Sequence, residues 1–170
     1  KDFDALNILA TTAERLSKGE ILQIEKVIKK DMTEEIYYDM VSDKTASLFS
    51  AACELGCITV TEDDEKRRAL SDFGEKFGLV FQIRDDLLDI IGSEDTMGKP
   101  GIFDLKKNIQ TLPLIHIFNT ISKTEVKKLK CKLRYHLKRS EKNAIHQLIL
   151  DEGGIKFANE QIHRITKDAR

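Results

Sequence analysis

Three aspartates near the middle of the chain have the spacing of a metal site on one face of a helix. They are Asp85, Asp86 and Asp89, in the run QIRDDLLD that begins at Gln82. Each helical residue advances about 100°, so Asp85 and Asp89 lie about 40° apart and Asp86 lies at the edge of their face. Mg²⁺ is usually held by one or two carboxylates, water and a substrate phosphate. The spacing therefore predicts a magnesium site, with Gln82 one turn before it.

The residues around these aspartates are almost all apolar, which is typical of a buried helix. They are Phe73, Phe77, Val80, Phe81, Ile83, Leu87, Leu88, Ile90 and Ile91. We expect a buried helix over Leu70–Ile91, with Gly78 leaving room beside the acidic face. Carboxylates in such a place are costly unless a cation neutralises them. The alternative is a solvated acidic helix face, which is the commoner origin of this pattern when it stands alone.

A loop rich in Gly and Pro follows the predicted helix and carries a cation. Gly98, Pro100 and Gly101 favour a loop, which would return Lys99 and Asp104 towards the aspartates. Carboxylates followed by a lysine on a loop make a plausible site for a metal-bound phosphate.

A second candidate anion site lies upstream, at Lys44 and Thr45. We expect Ser42 or Asp43 to cap a helix that reaches about Ile58. A lysine in a first helical turn adds positive charge at the positive end of the dipole. A helix N-terminus, this lysine and the Thr45 hydroxyl would together bind an anion. The alternative is an exposed lysine without a role.

The remaining pattern predicts an all-α fold. With 170 residues, two prolines and nine glycines, the chain has the size of one domain. Apolar periodicity predicts a helix over 4–30, and Thr33 is placed to cap a brief helix that starts at Glu34. A capping box from Thr61 leads into the long central helix. Further helices are expected over 105–121, 125–138, 141–150 and 155–168.

Composition narrows the classes of function. A net charge of −1 gives no reason to expect a nucleic-acid partner. No window approaches the roughly 20 apolar residues of a membrane span, so at most peripheral membrane contact is expected. Three cysteines without a metal-like pattern fit a reduced, cytoplasmic compartment. Cys53 and Cys57, one turn apart, are expected to be small core residues rather than metal ligands.

The aspartate run, with Gly98-Lys99-Pro100, Asp104-Leu105 and the upstream Lys44-Thr45-Ala46, resembles the trans-polyprenyl (isoprenyl) diphosphate synthases. It is similar to their second aspartate-rich motif, most of all in the bacterial octaprenyl branch. The resemblance implies an isoprenoid synthase-type all-α bundle around a central cavity. It also implies a Mg²⁺-dependent prenyltransferase that condenses isopentenyl diphosphate with an allylic prenyl diphosphate. The product would be a long all-trans polyprenyl diphosphate, of octaprenyl type, for quinone side chains.

The resemblance also implies the role of each site residue. Asp85, Asp86 and Asp89 would bind the metal, and Asp85 and Asp89 with Lys44 would be catalytic. The residues expected to bind substrate are Lys44, Thr45, Gln82 and Lys99. Gly19-Glu20 matches a family pair near the cavity and the subunit interface, but Glu20 could equally be a surface residue, so we leave it outside the site.

One position departs from the family pattern. Before Thr111-Leu112-Pro113, many members have a lysine where this chain has Ile109. In the family that lysine helps to hold diphosphate; Lys106 or Lys107 could replace it here, but we assign the role to neither.

The resemblance covers essentially the whole chain but only part of the family's sequence. Residues 1–170 would be the C-terminal portion of one synthase domain, and the first aspartate-rich motif would precede Lys1. We therefore expect this segment alone to be inactive, and expect it to act with the remaining N-terminal half in a homodimer.

Three alternatives remain. A terpene cyclase of the same fold would more often pair one aspartate motif with an Asn/Ser/Glu metal triad, and the Lys44-Thr45 pair argues against it. A non-catalytic regulatory subunit of a prenyl synthase usually loses the aspartates. A helical interaction module with an incidental acidic face would show no diphosphate-dependent Mg²⁺ binding.

Overall fold

The described part of the chain is helical, as the composition predicts. The structure is a computed structural model that describes residues 2–91, 110–133 and 137–169. Its elements are α1 (Asp2–Lys29), α2 (Glu34–Val41), a π-helical segment (Ser42–Ala46), α3 (Ser47–Val60), α4 (Asp64–Ile91), α5 (Leu112–Thr120), α6 (Lys123–Lys132), α7 (Arg139–Asp151) and α8 (Gly154–Asp168). No strand occurs in these ranges, and the all-α prediction is confirmed.

The chain divides into two compact units. The first unit contains residues 1–25, 38–82 and 163–170, and the second contains residues 26–37 and 83–162. Ile8, Ala51 and Ile58 form a small buried cluster in the first unit. A larger cluster in the second unit joins the end of α4 to α5, α6 and α7. Its buried members are Ile90, Leu114, Ile117, Leu129, Leu133, Leu137, Ile145 and Ile149.

Local capping explains where α2 and α4 begin. The Ile36 N–H donates to Thr33 Oγ1 at 3.3 Å, so Thr33 caps α2 as predicted. Before α4, the cap is Asp63 rather than Thr61. The Asp63 carboxylate accepts hydrogen bonds from the backbone N–H groups of Glu65 and Lys66, and α4 therefore starts two residues later than a cap at Thr61 would place it.

The expected helix start at Ser42 or Asp43 is wrong. The backbone stays helical from α2 through Val41 into the π segment and on into α3. The Ser42 and Asp43 side chains do not cap a helix, because both bind Arg15 of α1. A π turn accommodates an extra residue inside a continuous helix and is frequent at functional sites. Lys44 and Thr45 therefore lie inside a helical run.

Two glycines allow the π segment to pack closely against its neighbours in the first unit. A Cβ at Gly19 would lie 2.6 Å from the backbone nitrogen of Lys44, and a Cβ at Gly78 would lie 2.4 Å from Ala46 Cα. The expected room beside Gly78 is therefore filled by the backbone of Ala46. Gly19 of α1 and Gly78 of α4 therefore both lie directly against the π segment.

The prediction that α4 is buried all round is also wrong. Ile83, Leu87 and Ile90 are buried, but Phe73, Phe77, Phe81 and Leu88 are each about half exposed. The apolar pattern runs round the helix, whereas the described chain covers only part of its circumference. None of the helices in the described ranges is both long and apolar enough to cross a membrane.

Candidate functional site

The three predicted metal ligands lie near the C-terminal end of α4, in the second unit, and differ in exposure. Asp85 is exposed, Asp89 is half-buried, and Asp86 is only 6% exposed. Helix geometry places Asp85 and Asp89 one turn apart on one face. The more accessible pair is therefore Asp85 and Asp89, whereas Asp86 points into the second unit.

Asp86 is held by a residue that the sequence analysis did not include in the site. The Tyr37 hydroxyl donates to Asp86 Oδ2 at 2.6 Å, and Tyr37 is 1% exposed. This distance is in the range of hydrogen bonds between a hydroxyl and an ionised carboxylate. No local pattern links two residues 49 positions apart, so the pair could not be found by spacing.

The last turn of α4 is fixed by a residue from α7. A ring nitrogen of His146, Nε2, hydrogen-bonds the Ile90 carbonyl at 2.9 Å. Because a carbonyl only accepts, the imidazole carries its proton on Nε2 in this contact. The contact satisfies one of the carbonyls that a helix end leaves unpaired, directly after Asp89.

The aspartates could supply some of the ligands of a hard divalent cation. Asp85 and Asp89 offer carboxylate oxygens, the ligand type that Mg²⁺ prefers. Within residues 2–91, 110–133 and 137–169, no group of three His, Cys, Asp or Glu side chains is arranged to hold a metal by itself. The donor set therefore fits Mg²⁺ only where water, a phosphate or further protein groups supply other ligands, as is usual for this ion.

In the first unit, Lys44 is held by two side chains of α1. Its ammonium group lies 3.0 Å from the Glu20 carboxylate and donates to Gln23 Oε1. The Lys44 side chain keeps 30% of its exposure. Neither Glu20 nor Gln23 belongs to the predicted site. Lys44 is thus a partly exposed cation that is paired with the Glu20 carboxylate.

Thr45 and Gln82 lie together in the first unit. The Thr45 hydroxyl donates to Gln82 Oε1 at 2.9 Å, which links the π segment to α4. Two residues predicted to bind substrate are therefore neighbours, although 37 positions separate them in the chain.

A charged network stabilises the π segment beside Lys44. Arg15 binds Glu75 at 2.8 Å and Asp43 at 3.0 Å, and Lys18 lies 2.7 Å from Asp43. Burial opposes ionisation of Asp43, but the hydrogen bonds from Lys18 and Arg15 outweigh it, so the pKa of Asp43 is below its usual value. The hydrogen bond to Glu75 is the main reason why the pKa of Arg15 is raised.

Several predicted residues lie outside the described residues. They are Lys99 and Asp104 on the predicted loop, and Lys106, Lys107 and Ile109 at the position where the chain departs from the family pattern.

Known proteins similar to this chain point to one family. The polyprenyl synthetase family profile matches residues 1–150. The geranylfarnesyl diphosphate synthase of Natronomonas pharaonis is 38% identical over 116 residues, which cover 68% of this chain and 34% of the relative. The octaprenyl diphosphate synthase of Escherichia coli is 36% identical over 111 residues, which cover 65% of this chain and 34% of the relative.

The fold leads to the same family. The crystal structure of a polyprenyl synthase from Caulobacter crescentus, complexed with calcium and isoprenyl diphosphate, has a TM-score of 0.88 and 29% identity. The match covers 98% of this chain and 51% of that one, so the chain spans about half of the solved relative. With a family profile over most of its length and a helical fold that agrees with it, the chain belongs to the polyprenyl synthetase family.

Proposed function

We propose that this chain provides the second aspartate-rich motif and part of the allylic diphosphate site of a trans-polyprenyl diphosphate synthase. The observation that carries the proposal is the different environment of the three aspartates. Asp86 is buried and bound by Tyr37, whereas Asp85 is exposed and Asp89 is half-buried on α4. Lys44 and Thr45 are proposed to bind the substrate's diphosphate.

Mg²⁺ is the proposed cofactor, with Asp85 and Asp89 as its main protein ligands from this helix and Asp86 as a direct or water-mediated one. The presence of calcium in the Caulobacter relative supports a hard divalent cation. When bound, the metal would act as a Lewis acid that neutralises charge on the diphosphate leaving group.

Lys44 is proposed to place a fixed positive charge beside the diphosphate oxygens. Such a charge helps most if it is in place before negative charge develops. Glu20 and Gln23 hold the ammonium group, and an incoming diphosphate would replace the Glu20 carboxylate as its counter-ion. Lys99, outside the described residues, is the proposed second cation.

Thr45 and Gln82 are proposed to orient the substrate. Their hydrogen bond fixes the hydroxyl and the amide relative to each other. Side chains held in this way lose little freedom when a ligand binds, which favours orientation of the reacting group.

In the proposed reaction, the C–O bond of the allylic diphosphate breaks and its electron pair leaves with the diphosphate. The double bond of isopentenyl diphosphate then forms a C–C bond to the allylic carbon, and loss of a proton restores a double bond. An apolar interior would keep water from the allylic cation.

The proposal extends to the assembly, the localisation and the product of the whole enzyme. We propose a cytoplasmic homodimer in which an N-terminal half supplies the first aspartate-rich motif and the isopentenyl diphosphate site. We further propose an octaprenyl-type product. The relatives named above make geranylfarnesyl and octaprenyl diphosphate, so product analysis is the direct test of chain length.

A condensation assay tests the proposal. The chain is incubated with Mg²⁺, farnesyl diphosphate and labelled isopentenyl diphosphate, alone and with the N-terminal half of the Caulobacter synthase supplied as a second polypeptide. We expect no product from the chain alone, and products that grow by five carbons in the mixture. Loss of these products with Asp85→Asn is also expected. Turnover by the chain alone, or an Asp85→Asn mixture as active as wild type, would contradict the proposal.

A further inference from the structure

The hydrogen bond between Tyr37 and Asp86 lies wholly within the second unit. Tyr37 is 1% exposed and Asp86 is 6% exposed, so neither group can exchange the bond readily for water. A buried phenol hydroxyl usually has a hydrogen-bond partner. Here the partner is a carboxylate of the aspartate motif, at 2.6 Å.

The backbone around Tyr37 is itself fixed. The Tyr37 N–H donates to the Thr33 carbonyl at 2.9 Å, in the first turn of α2, and the Thr33 hydroxyl accepts the Ile36 N–H. A capped helical turn leaves the tyrosine little backbone freedom. Its hydroxyl is therefore presented to Asp86 from a rigid element.

The three aspartates differ in exposure, and Asp86 is the one that is held from inside the second unit. Asp85, the adjacent residue, is exposed, and Asp89 is half-buried. One oxygen of Asp86 already accepts from Tyr37. Tyr37 therefore fixes the position of one carboxylate oxygen of Asp86.

We propose that Tyr37 is a positioning residue for the metal site, whose hydroxyl holds Asp86 in the orientation that completes the site begun by Asp85 and Asp89. This inference rests on the proposed function, because it assumes that the aspartates bind a divalent cation. Groups that orient metal ligands through hydrogen bonds typically change metal affinity or activity by about 10–100-fold when they are removed.

The test is a Mn²⁺ titration of the chain, with Mn²⁺ in place of Mg²⁺ and the free ion measured by electron paramagnetic resonance. Tyr37→Phe removes only the hydroxyl, and Tyr38→Phe is the matched control one residue away. We expect Tyr37→Phe to weaken Mn²⁺ binding about tenfold, while Tyr38→Phe binds as wild type. Equal affinities of Tyr37→Phe and wild type, or equal losses in both variants, would overturn the inference.

A double-mutant cycle with Asp86→Asn separates positioning from stability. If Tyr37 acts through Asp86, Tyr37→Phe should weaken Mn²⁺ binding no further in the Asp86→Asn background. The metal-free melting temperature is measured for every variant. A Tyr37→Phe variant that melts lower but binds Mn²⁺ as wild type would show a merely structural role and overturn the inference.

Asp85→Asn distinguishes failure of this inference from failure of the proposed function. If wild type binds Mn²⁺ and Asp85→Asn does not, the metal site stands and the tyrosine result decides the inference alone. If wild type and Asp85→Asn bind Mn²⁺ equally, the proposed metal site is wrong and the inference fails with it.

Discussion

The Thr45 hydroxyl donates a 2.9 Å hydrogen bond to Gln82 Oε1 and so joins the π segment to α4 in the first unit. The bond connects two side chains that we propose to orient the same diphosphate. Substitutions of the Thr45 side chain can therefore test how much this hydrogen bond stabilises the protein.

Thr45→Val should destabilise the protein by about 1 kcal/mol, the usual net value of such a hydrogen bond. The change keeps the shape of the side chain but removes the donor to Gln82. Thr45→Ser keeps the hydroxyl and is the matched control. Urea unfolding measures both, and equal losses in the two variants would show that the hydroxyl is not the cause.

Glu20→Gln should increase the affinity of the chain for Mg²⁺-pyrophosphate, because it removes the counter-ion that competes for Lys44. A partly exposed ion pair is worth up to about 1 kcal/mol, so we expect a gain of up to about fivefold. Isothermal titration calorimetry measures it. Glu14→Gln, an exposed change on the same helix, should have no effect, and a weaker Glu20→Gln complex would contradict the proposed role of Lys44.

Gly78→Ala should destabilise the protein by about 1–3 kcal/mol, the usual cost of overpacking. The new Cβ would lie 2.4 Å from Ala46 Cα, so backbone must move. Gly56→Ala is the opposite case, because a Cβ there meets nothing within 4 Å. It should stabilise α3 by about 0.5–1 kcal/mol. Thermal unfolding of the two variants should therefore shift in opposite directions.

Stability should fall at low pH partly through Asp43, whose pKa is lowered by hydrogen bonds from Lys18 and Arg15 that outweigh its burial. For a carboxyl with a lowered pKa, the stabilisation is complete above its usual value of 3.8 and is lost as pH falls through the lowered value. Asp43→Asn should therefore lose less stability than wild type as the pH falls below 3.8. Melting temperatures across that range measure the difference, and parallel curves would contradict the assignment.

Much of the fold follows from local sequence signals. The periodicity of α1 and the Thr33 cap depend only on residues a few positions apart, and both agree with the structure. The helix start expected at Ser42 failed because Arg15, 27 positions earlier, takes the groups that would have capped it. Long-range partners of this kind leave no trace in local spacing.

The site shows the same limit. The prediction of an anion site at Lys44 and Thr45 depends partly on a helix N-terminus, which the continuous helical run does not provide. Their actual neighbours, Glu20 and Gln82, are distant in sequence. The hydrophobic pattern of α4 likewise predicted burial, but pattern alone cannot tell which faces the chain covers.

Asp85 is proposed to help bind a divalent cation for an allylic diphosphate. The most direct test is binding of farnesyl thiodiphosphate, an analogue with sulfur in place of the bridging oxygen, with and without Mg²⁺. Asp72→Asn is the control, since Asp72 is exposed on the same helix. We predict Mg²⁺-dependent binding to wild type and Asp72→Asn, and at least about tenfold weaker binding to Asp85→Asn. Binding that needs no Mg²⁺, or that Asp85→Asn leaves unchanged, would contradict the account.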